Sequence, residues 1–393
     1  MKWLTEQRLL IYPRIFVVLY VLLGVFFLFS AYLSGPGLTI YKGKPLGFDF
    51  AHYWVASSMT LVGDSATVYN VPEFLKALEV RFHTTASPIP WLYPPTFLLM
   101  VLPLALLPYV PSLGVWLGVT LWGYLAVLRR VAPNPNTIWL ALAFPGTYQN
   151  FFSGQNGFLS GAFLGGGLLL LERHPWVGGG LLGLVSYKPH LMVLVPVALV
   201  AGRRWQALLA ALVAAGSLAL ASLLVFGPGL WWAFVKNLSL PARLLADGQL
   251  PVHKLVTIFG AALQLGAPVS VALVIQGTVM IGVVCLVFWV WRWEAPFAVQ
   301  AAALILGILL FTPYAFPYDL ALLALPLAWL GWEGYSTGWR PGEQVLLFVA
   351  WVMPLLAPKL AEFHLPVAPL VLLALLMPVI NRTMTPTAIS KSC

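Results

Sequence analysis

The chain alternates long apolar segments with short polar connections along almost its whole length. Thirteen segments are candidate membrane helices, although several are too short to cross a hydrocarbon core of roughly 30 Å alone. We therefore predict an all-α polytopic membrane protein with about 10–13 transmembrane helices. The candidate segments lie at about 15–33, 93–108, 111–128, 137–152, 157–172, 177–201, 206–226, 255–268, 270–291, 297–316, 318–332, 344–358 and 365–380.

Two polar connections are long enough to carry function, at 34–92 and at 227–254. Within the first, Val71 to Phe82 has the spacing of a short amphipathic helix lying along the interface. We predict one transmembrane catalytic domain over 1–380, followed by a short polar tail at 381–393.

Composition supports the membrane assignment. Of the 393 residues, 61% are hydrophobic and only 8% are charged, whereas soluble domains are about half apolar and about a quarter charged. The net charge of +9 comes from basic residues scattered beside apolar segments, which fits the positive-inside rule better than nucleic-acid binding. The two cysteines, Cys285 and Cys393, form neither a disulfide framework nor a metal site.

Basic residues also predict the topology. Lys2, Arg8 and Arg14 precede the apolar segment 15–33, which is typical of an uncleaved signal anchor with a cytoplasmic N-terminus. Both long connections would then face outwards, and we expect a bacterial inner (plasma) membrane with the active site towards the periplasm or exterior. The later basic pairs cannot all be cytoplasmic unless the segment 177–201 is broken near Lys188 or one segment is re-entrant.

Asp49 is the first candidate for chemistry, because an acid among aromatic residues follows the first apolar segment. A carboxylate there can act as a general base for a nucleophilic hydroxyl. The alternative is a solvated aspartate that caps a helix beginning near Phe50. His52 lies one turn further on and is either a partner of Asp49 or a solvated histidine.

Three further motifs separate apolar segments. Gln155 and Asn156 suit sugar hydroxyls, because amides both donate and accept, although a plain helix-hairpin turn is equally compatible. Lys188, inside an apolar stretch, could pair with a phosphate or extend to an interface. Asp319 could bind an acceptor, orient a base, neutralise a cation or cap the helix that follows. Nucleotide-binding loops, zinc motifs and serine nucleophile elbows are absent from the sequence.

Taken together, these motifs resemble glycosyltransferase family 87, within the integral-membrane glycosyltransferase C superfamily. The resemblance runs from about residue 15 to 335. In chain order, the matching elements are Phe48-Asp49-Phe50 with Tyr53, Gly63, Tyr69, Tyr93-Pro94-Pro95 with Pro103-Leu104, Gly154-Gln155-Asn156, Gly179, Gly183, Lys188-Pro189, Arg203-Arg204-Trp205 and the stretch from Pro313 to Pro326. One departure is Tyr318-Asp319, where some relatives carry a histidine.

The resemblance implies an inverting, mannosyltransferase-like enzyme that moves a sugar from a polyprenyl-phosphate donor to a lipid or glycolipid acceptor. Asp49 maps onto the general base, and Lys188, Lys254 and Arg243 are the candidates for the donor phosphate. The residues expected to contact sugar or acceptor are His52, Tyr53, Tyr93, Gln155, Asn156, His190 and Asp319. No metal site or cofactor is expected, although a divalent metal is not excluded.

Two other function classes stay open at this point. A transporter or flippase is disfavoured because no inverted pair of interrupted helices is visible between 93–201 and 255–380. A glycan polymerase or ligase that uses a lipid-linked donor shares most of the chemistry.

Overall fold

The computed structural model describes residues 6–35, 37–40, 43–83, 89–293 and 295–385. Over these residues the protein is built from α-helices and short 3₁₀ turns, and no β-strand forms. The all-α prediction is therefore confirmed. Lys2, Cys393 and residues 386–393 of the predicted tail lie outside the described residues.

Twenty α-helices follow one another along the described chain. They are α1 Glu6–Leu33, α2 Phe48–Leu61, α3 Val71–Phe82, α4 Pro95–Val101, α5 Tyr109–Val131, α6 Thr137–Ala143, α7 Pro145–Ser153, α8 Gly157–Leu170, α9 Pro175–Leu184, α10 Pro189–Met192, α11 Leu194–Ala201, α12 Trp205–Lys236, α13 Leu240–Ala246, α14 Ile258–Gln264, α15 Val269–Arg292, α16 Phe297–Phe311, α17 Ala324–Thr337, α18 Glu343–Glu362, α19 Val367–Ala374 and α20 Leu376–Met384.

Six helical segments of the described chain are long and apolar enough to cross a membrane. They are Ile11–Leu33, Tyr109–Val131, Trp205–Ala246, Val269–Arg292, Glu343–Glu362 and Val367–Met384. Four shorter apolar helical segments, Pro95–Leu106, Gly157–Leu170, Pro189–Ala201 and Phe297–Phe311, accompany them. The protein is thus an integral multi-pass membrane protein.

The chain forms two compact units, each assembled from separate stretches of sequence. Unit 1 contains Met1–Trp122, Asn150–Asn156 and Ala215–Leu250. Unit 2 contains Gly123–Gln149, Gly157–Ala214 and Pro251–Cys393. The seven residues 150–156 therefore pack with unit 1, although the chain on both sides of them belongs to unit 2.

In unit 1, the long polar connection predicted at 34–92 is largely helical. The amphipathic helix expected from Val71 to Phe82 is present as α3, and it buries Phe74, Leu78 and Phe82 along one face. Their spacing of four residues places them on the same side of a helix. Helix α3 thus belongs to the folded part of unit 1 and packs against α2.

In unit 2, close contact between small residues joins α9 to α12. A Cβ atom added to Gly179 would lie 2.7 Å from Ala207 Cα, and one added to Gly183 would lie 2.8 Å from Ala211 Cα. Small residues four apart let two helix backbones approach this closely. The two glycines therefore fix the crossing that leads the chain towards Lys188.

The apolar segment predicted at 177–201 is broken near Lys188, which is one of the two alternatives that the charge distribution left open. Helix α9 ends at Leu184, a 3₁₀ turn covers Val185–Tyr187, and α10 starts at Pro189. Proline cannot donate a backbone hydrogen bond and disfavours helical dihedrals in the preceding residue. Lys188 accordingly adopts φ −125° and ψ 77°, between two helical pieces.

The C-terminal prediction requires one correction. Helix α20 continues to Met384, so the first residues of the segment assigned to a polar tail are helical. Arg382 and Thr383 are buried there at 2% and 1% exposure. The polar sequence was misleading because Arg382 is neutralised by Glu343 of α18, a pairing that only the tertiary structure provides.

Candidate active site

Asp49 lies in the first turn of α2 and is half-buried. The N-cap of this helix is Gly47, in the left-handed conformation with φ 61° and ψ 51°, and α2 begins at Phe48. The interpretation of Asp49 as the cap of a helix beginning near Phe50 is therefore wrong. A carboxylate in the first turn interacts favourably with the positive end of the helix dipole.

His52 is held by backbone carbonyl groups. Its Nδ1 lies 3.0 Å from the Phe48 oxygen and its Nε2 lies 3.0 Å from the Ile89 oxygen. Burial lowers the pKa of His52 below 6.5, although these carbonyl contacts raise it in part. His52 is thus a buried ring that ties α2 to the chain near Ile89, instead of the solvated histidine considered from sequence.

Gln155 is the centre of a polar cluster in unit 1. Its Oε1 accepts hydrogen bonds from the hydroxyl groups of Tyr53 and Tyr93, the latter at 3.0 Å. The backbone N–H of Asn156 also donates to Oε1, at 2.9 Å. Four residues that the sequence analysis selected for sugar or acceptor binding are therefore brought together.

The turn that carries Gln155 packs directly on the start of α2. Gly154 adopts φ +69°, and a Cβ atom added to it would lie 2.6 Å from Phe50 Cβ and 3.4 Å from the Gly47 oxygen. The indole Nε1 of Trp116 donates to the Gly154 oxygen at 3.0 Å. Glycine is required because only it permits both this φ and this approach. The turn is thus fixed beside the helical turn that contains Asp49.

The second long connection packs on the first. Asn237 donates from Nδ2 to the Tyr69 oxygen at 2.7 Å, and the rings of Tyr69 and Phe234 are 6.1 Å apart. The helix before this contact breaks at Gly227, which has φ 76° and ψ 169°. The two connections predicted to share one membrane face therefore meet in unit 1. Arg243 lies beyond, on α13, with its side chain exposed.

Unit 2 holds a buried ion pair. Lys188 Nζ lies 2.6 Å from Asp319 Oδ1, and the two residues are 5% and 3% exposed. Asp319 Oδ2 also accepts the backbone N–H of Phe316 at 3.0 Å. Of the roles considered for Asp319, neutralising a cation is observed, whereas its carboxylate caps the start of the 3₁₀ turn Pro317–Leu323 that contains it instead of the helix that follows. His190 follows Lys188 on α10, and Lys254 lies exposed in the 3₁₀ turn Val252–Lys254.

A comparison with protein families identifies the chain. The family model of glycosyltransferase family 87 matches residues 91–313, more than half of the sequence. The chain belongs to glycosyltransferase family 87. It is therefore a membrane glycosyltransferase. No curated protein and no solved structure matches it.

Some of the candidate residues lie inside the range that the family 87 model matches, and others lie outside it. Tyr93, Gln155, Asn156, Lys188, His190, Arg243 and Lys254 lie inside the matched range. Asp49, His52 and Tyr53 precede it and Asp319 follows it. Asp49 lies outside the matched range, so its role as the general base stays a prediction.

Trp91 and Phe97 were not selected from sequence, and Tyr69 was selected only as part of the family resemblance, without a role in the site. Trp91 and Phe97 pack around Tyr53, with ring centroids 6.3 Å and 5.0 Å from its ring. Tyr69 donates to the Tyr93 oxygen at 2.7 Å, and burial raises the pKa of Tyr69 well above 10. The only signal in the sequence was the density of aromatic residues near position 91, which is also typical of an interface belt.

No group of three histidine, cysteine or acidic side chains within the described residues could hold a metal ion. The expectation that this glycosyltransferase works without a metal or cofactor stays a prediction.

Proposed function

We propose that this family 87 enzyme transfers a sugar, with mannose as the first candidate, from a polyprenyl-phosphate donor to a lipid or glycolipid acceptor. The reaction would take place at the outer face of a bacterial plasma membrane and contribute to glycolipid synthesis. The observation that supports this proposal best is the arrangement of unit 1. Asp49 lies in the first turn of α2, and the turn before Gln155 packs on Gly47 and Phe50 of the same region. The Gln155 amide and the two phenol groups bonded to it suit a hydroxylated ligand.

In the proposed reaction, Asp49 accepts the proton of the acceptor hydroxyl. The hydroxyl oxygen forms a bond to the anomeric carbon of the donor sugar, and the bond from that carbon to the phosphate oxygen breaks. Because attack and departure occur on opposite sides, the anomeric configuration inverts. Phosphate leaves with the bonding electrons, so no general acid is required at the leaving group.

The departing phosphate gains negative charge, and a cation that contacts it lowers the barrier. Lys188 is the first candidate, because an ammonium group can exchange a carboxylate partner for a phosphate without changing its geometry. Phosphate binding would then involve a change of the contact between Lys188 and Asp319. Arg243 and Lys254, both exposed, are the further candidates for phosphate contact.

The base assignment is tested by Asp49→Asn, which keeps the shape of the side chain and removes its basicity. Membranes containing the variant would receive a radiolabelled polyprenyl-phosphate mannose, and labelled lipids would be separated and counted. We expect transfer to fall by about 10²–10⁴-fold, the usual contribution of a general base.

Asp64→Asn is the matched control, because Asp64 is an exposed acid in the same connection. It should leave transfer unchanged. Transfer by Asp49→Asn at the wild-type rate, with both variants equally abundant in the membrane, would contradict the assignment of the base.

A further inference from the structure

The surroundings of Gln155 allow only one orientation of its side-chain amide. A backbone N–H can only donate, so the side-chain atom 2.9 Å from the Asn156 nitrogen must be the oxygen. The hydroxyl groups of Tyr53 and Tyr93 donate to the same oxygen. The protein therefore fixes which end of the amide is Oε1 and which is Nε2.

The other end of this amide has a different environment. Gln155 is only 3% exposed, yet none of the described residues accepts a hydrogen bond from its Nε2. Nε2 is not one of the fully enclosed side-chain atoms that lack a partner in the described residues, so this end of the amide reaches accessible space. Two N–H donors are thus held in a fixed direction, where they suit a ligand atom with lone pairs.

Gln276 shows what a purely structural amide looks like in this protein. It is 1% exposed, its Oε1 accepts the Phe259 N–H at 3.0 Å, and its Nε2 donates to the oxygens of Leu310 and Phe311 at 3.0 Å and 3.2 Å. Both ends of Gln276 are used by the backbone. In Gln155 only the oxygen is used by the described protein.

The position of Gln155 indicates which ligand its Nε2 would contact. Its turn packs against Gly47 and Phe50, on either side of Asp49 in the sequence. Asp49 and Tyr53 are four residues apart on α2, so they share one helix face, and the Tyr53 hydroxyl reaches Gln155. A negatively charged carboxylate repels a phosphate and tolerates a neutral hydroxyl.

We infer that Gln155 is a specificity-determining residue whose Nε2 donates a hydrogen bond to a hydroxyl oxygen of the acceptor headgroup, next to the hydroxyl that Asp49 deprotonates. The inference rests on the proposed function. Tyr53, Tyr93 and the Asn156 N–H are positioning groups, because they act by holding Oε1. The acceptor must then carry at least two hydroxyl groups near each other, as a sugar or inositol headgroup does.

Gln155→Glu separates this role from a structural one. A carboxylate keeps every hydrogen bond that Oε1 accepts, but it replaces the outward donor by a charged acceptor. The enzyme would be assayed with radiolabelled polyprenyl-phosphate mannose and a titrated lipid extract from cells that lack the gene. We expect the half-saturating amount of extract to rise at least about tenfold, equivalent to ~1.4 kcal/mol, with little change in donor half-saturation.

A second readout is the pH dependence of transfer. A new carboxylate close to Asp49 would raise the pKa of the Asp49 carboxyl, because like charges disfavour ionisation. The acid limb of the rate profile should therefore move to higher pH in Gln155→Glu. An unmoved acid limb would show that residue 155 does not lie close to Asp49, which would also contradict the inferred acceptor contact.

Two further variants complete the test. Gln155→Met removes both ends of the amide at similar length and should also raise acceptor half-saturation more than donor half-saturation. Gln276→Glu should lower thermal stability, because its carboxylate would face two backbone oxygens, without separating donor from acceptor dependence.

Unchanged acceptor half-saturation in folded Gln155→Glu, or a shift in the donor value alone, would overturn the inference while leaving the proposed transfer intact. Failure of both Gln155 variants to fold would assign this side chain to structure and also overturn it. No transfer by the wild-type enzyme from the labelled donor would contradict the proposed function itself.

Discussion

Two buried ion pairs of unit 2 differ in the chemistry of their cations. Arg382 donates through Nε and Nη2 to both oxygens of Glu343, at 2.8 Å and 2.6 Å. It also donates to the Thr337 hydroxyl and the Gly338 oxygen, at 3.0 Å and 2.9 Å. Lys188 meets Asp319 through a single ammonium group at 2.6 Å.

The difference follows from the chemistry of the two cations. A guanidinium is planar, with donors in fixed directions, so Arg382 and its partners define one geometry that connects α17, α18 and α20. An ammonium is a compact charge whose donors rotate with it. The arginine pair is therefore suited to a permanent structural contact, and the lysine pair to a contact that a ligand can replace.

The largest expected effect is on stability, in Arg382→Leu. The substitution leaves Glu343 buried at 6% exposure and without its main counter-charge. Breaking a buried pair in this way typically costs ~3–5 kcal/mol. The free energy of unfolding, measured by denaturant titration in detergent, should fall by about this amount.

Lys359→Leu is the control for charge removal on the same α18. Its pair with Glu362 is exposed, with side-chain exposures of 75% and 52%, and should contribute at most ~1 kcal/mol. Equal losses of unfolding free energy in Arg382→Leu and Lys359→Leu would show that burial does not determine how much these ion pairs contribute to stability.

A single and a double substitution test whether the lysine pair has a role beyond stability. Lys188→Met leaves the buried Asp319 carboxylate without its counter-charge, so this variant should be less stable than the wild type. The double variant Lys188→Met with Asp319→Leu replaces both charges by apolar groups and should recover most of the stability. Transfer should stay reduced by about 10²–10³-fold in the stable double variant, if Lys188 contacts the donor phosphate.

The corresponding double variant, Arg382→Leu with Glu343→Leu, should recover both stability and transfer. Full transfer by the stable Lys188 and Asp319 double variant would assign that pair to structure alone, like the arginine pair.

The smallest expected effect concerns His52, which is buried beside carbonyl groups and has a lowered pKa. The unfolded chain then binds the proton more readily than the folded protein does. The stabilising contribution of neutral His52 is complete above pH 6.5, the unfolded value, and is lost as the pH falls towards the lower folded value.

Unfolding measured between about pH 7 and pH 5 should therefore show a decrease in wild-type stability that is smaller in His52→Gln, which does not titrate. An identical pH dependence in the two proteins would mean that His52 is not the group responsible. In that case His52 would not serve as the uncharged counterpart of the two buried ion pairs.

Much of this architecture could be predicted from local sequence. The period of apolar residues in Val71–Phe82 predicted α3 with its bounds, because one face of a short helix has to bury Phe74, Leu78 and Phe82. The break before Pro189 follows from the missing proline N–H. The order and spacing of short motifs along residues 15–335 indicated the family.

The chain by itself thus determined an all-helical membrane protein of glycosyltransferase family 87, because apolar length, proline positions and short motifs are properties of neighbouring residues. Only the tertiary structure decided that residues 150–156 pack with α2, that Lys188 meets Asp319, and that Arg382 is buried against Glu343. These pairings join residues that are far apart in the sequence, and a polar residue carries no local signal of its distant partner. The direction in which the Gln155 amide points, and hence the acceptor contact inferred from it, depends on that long-range packing.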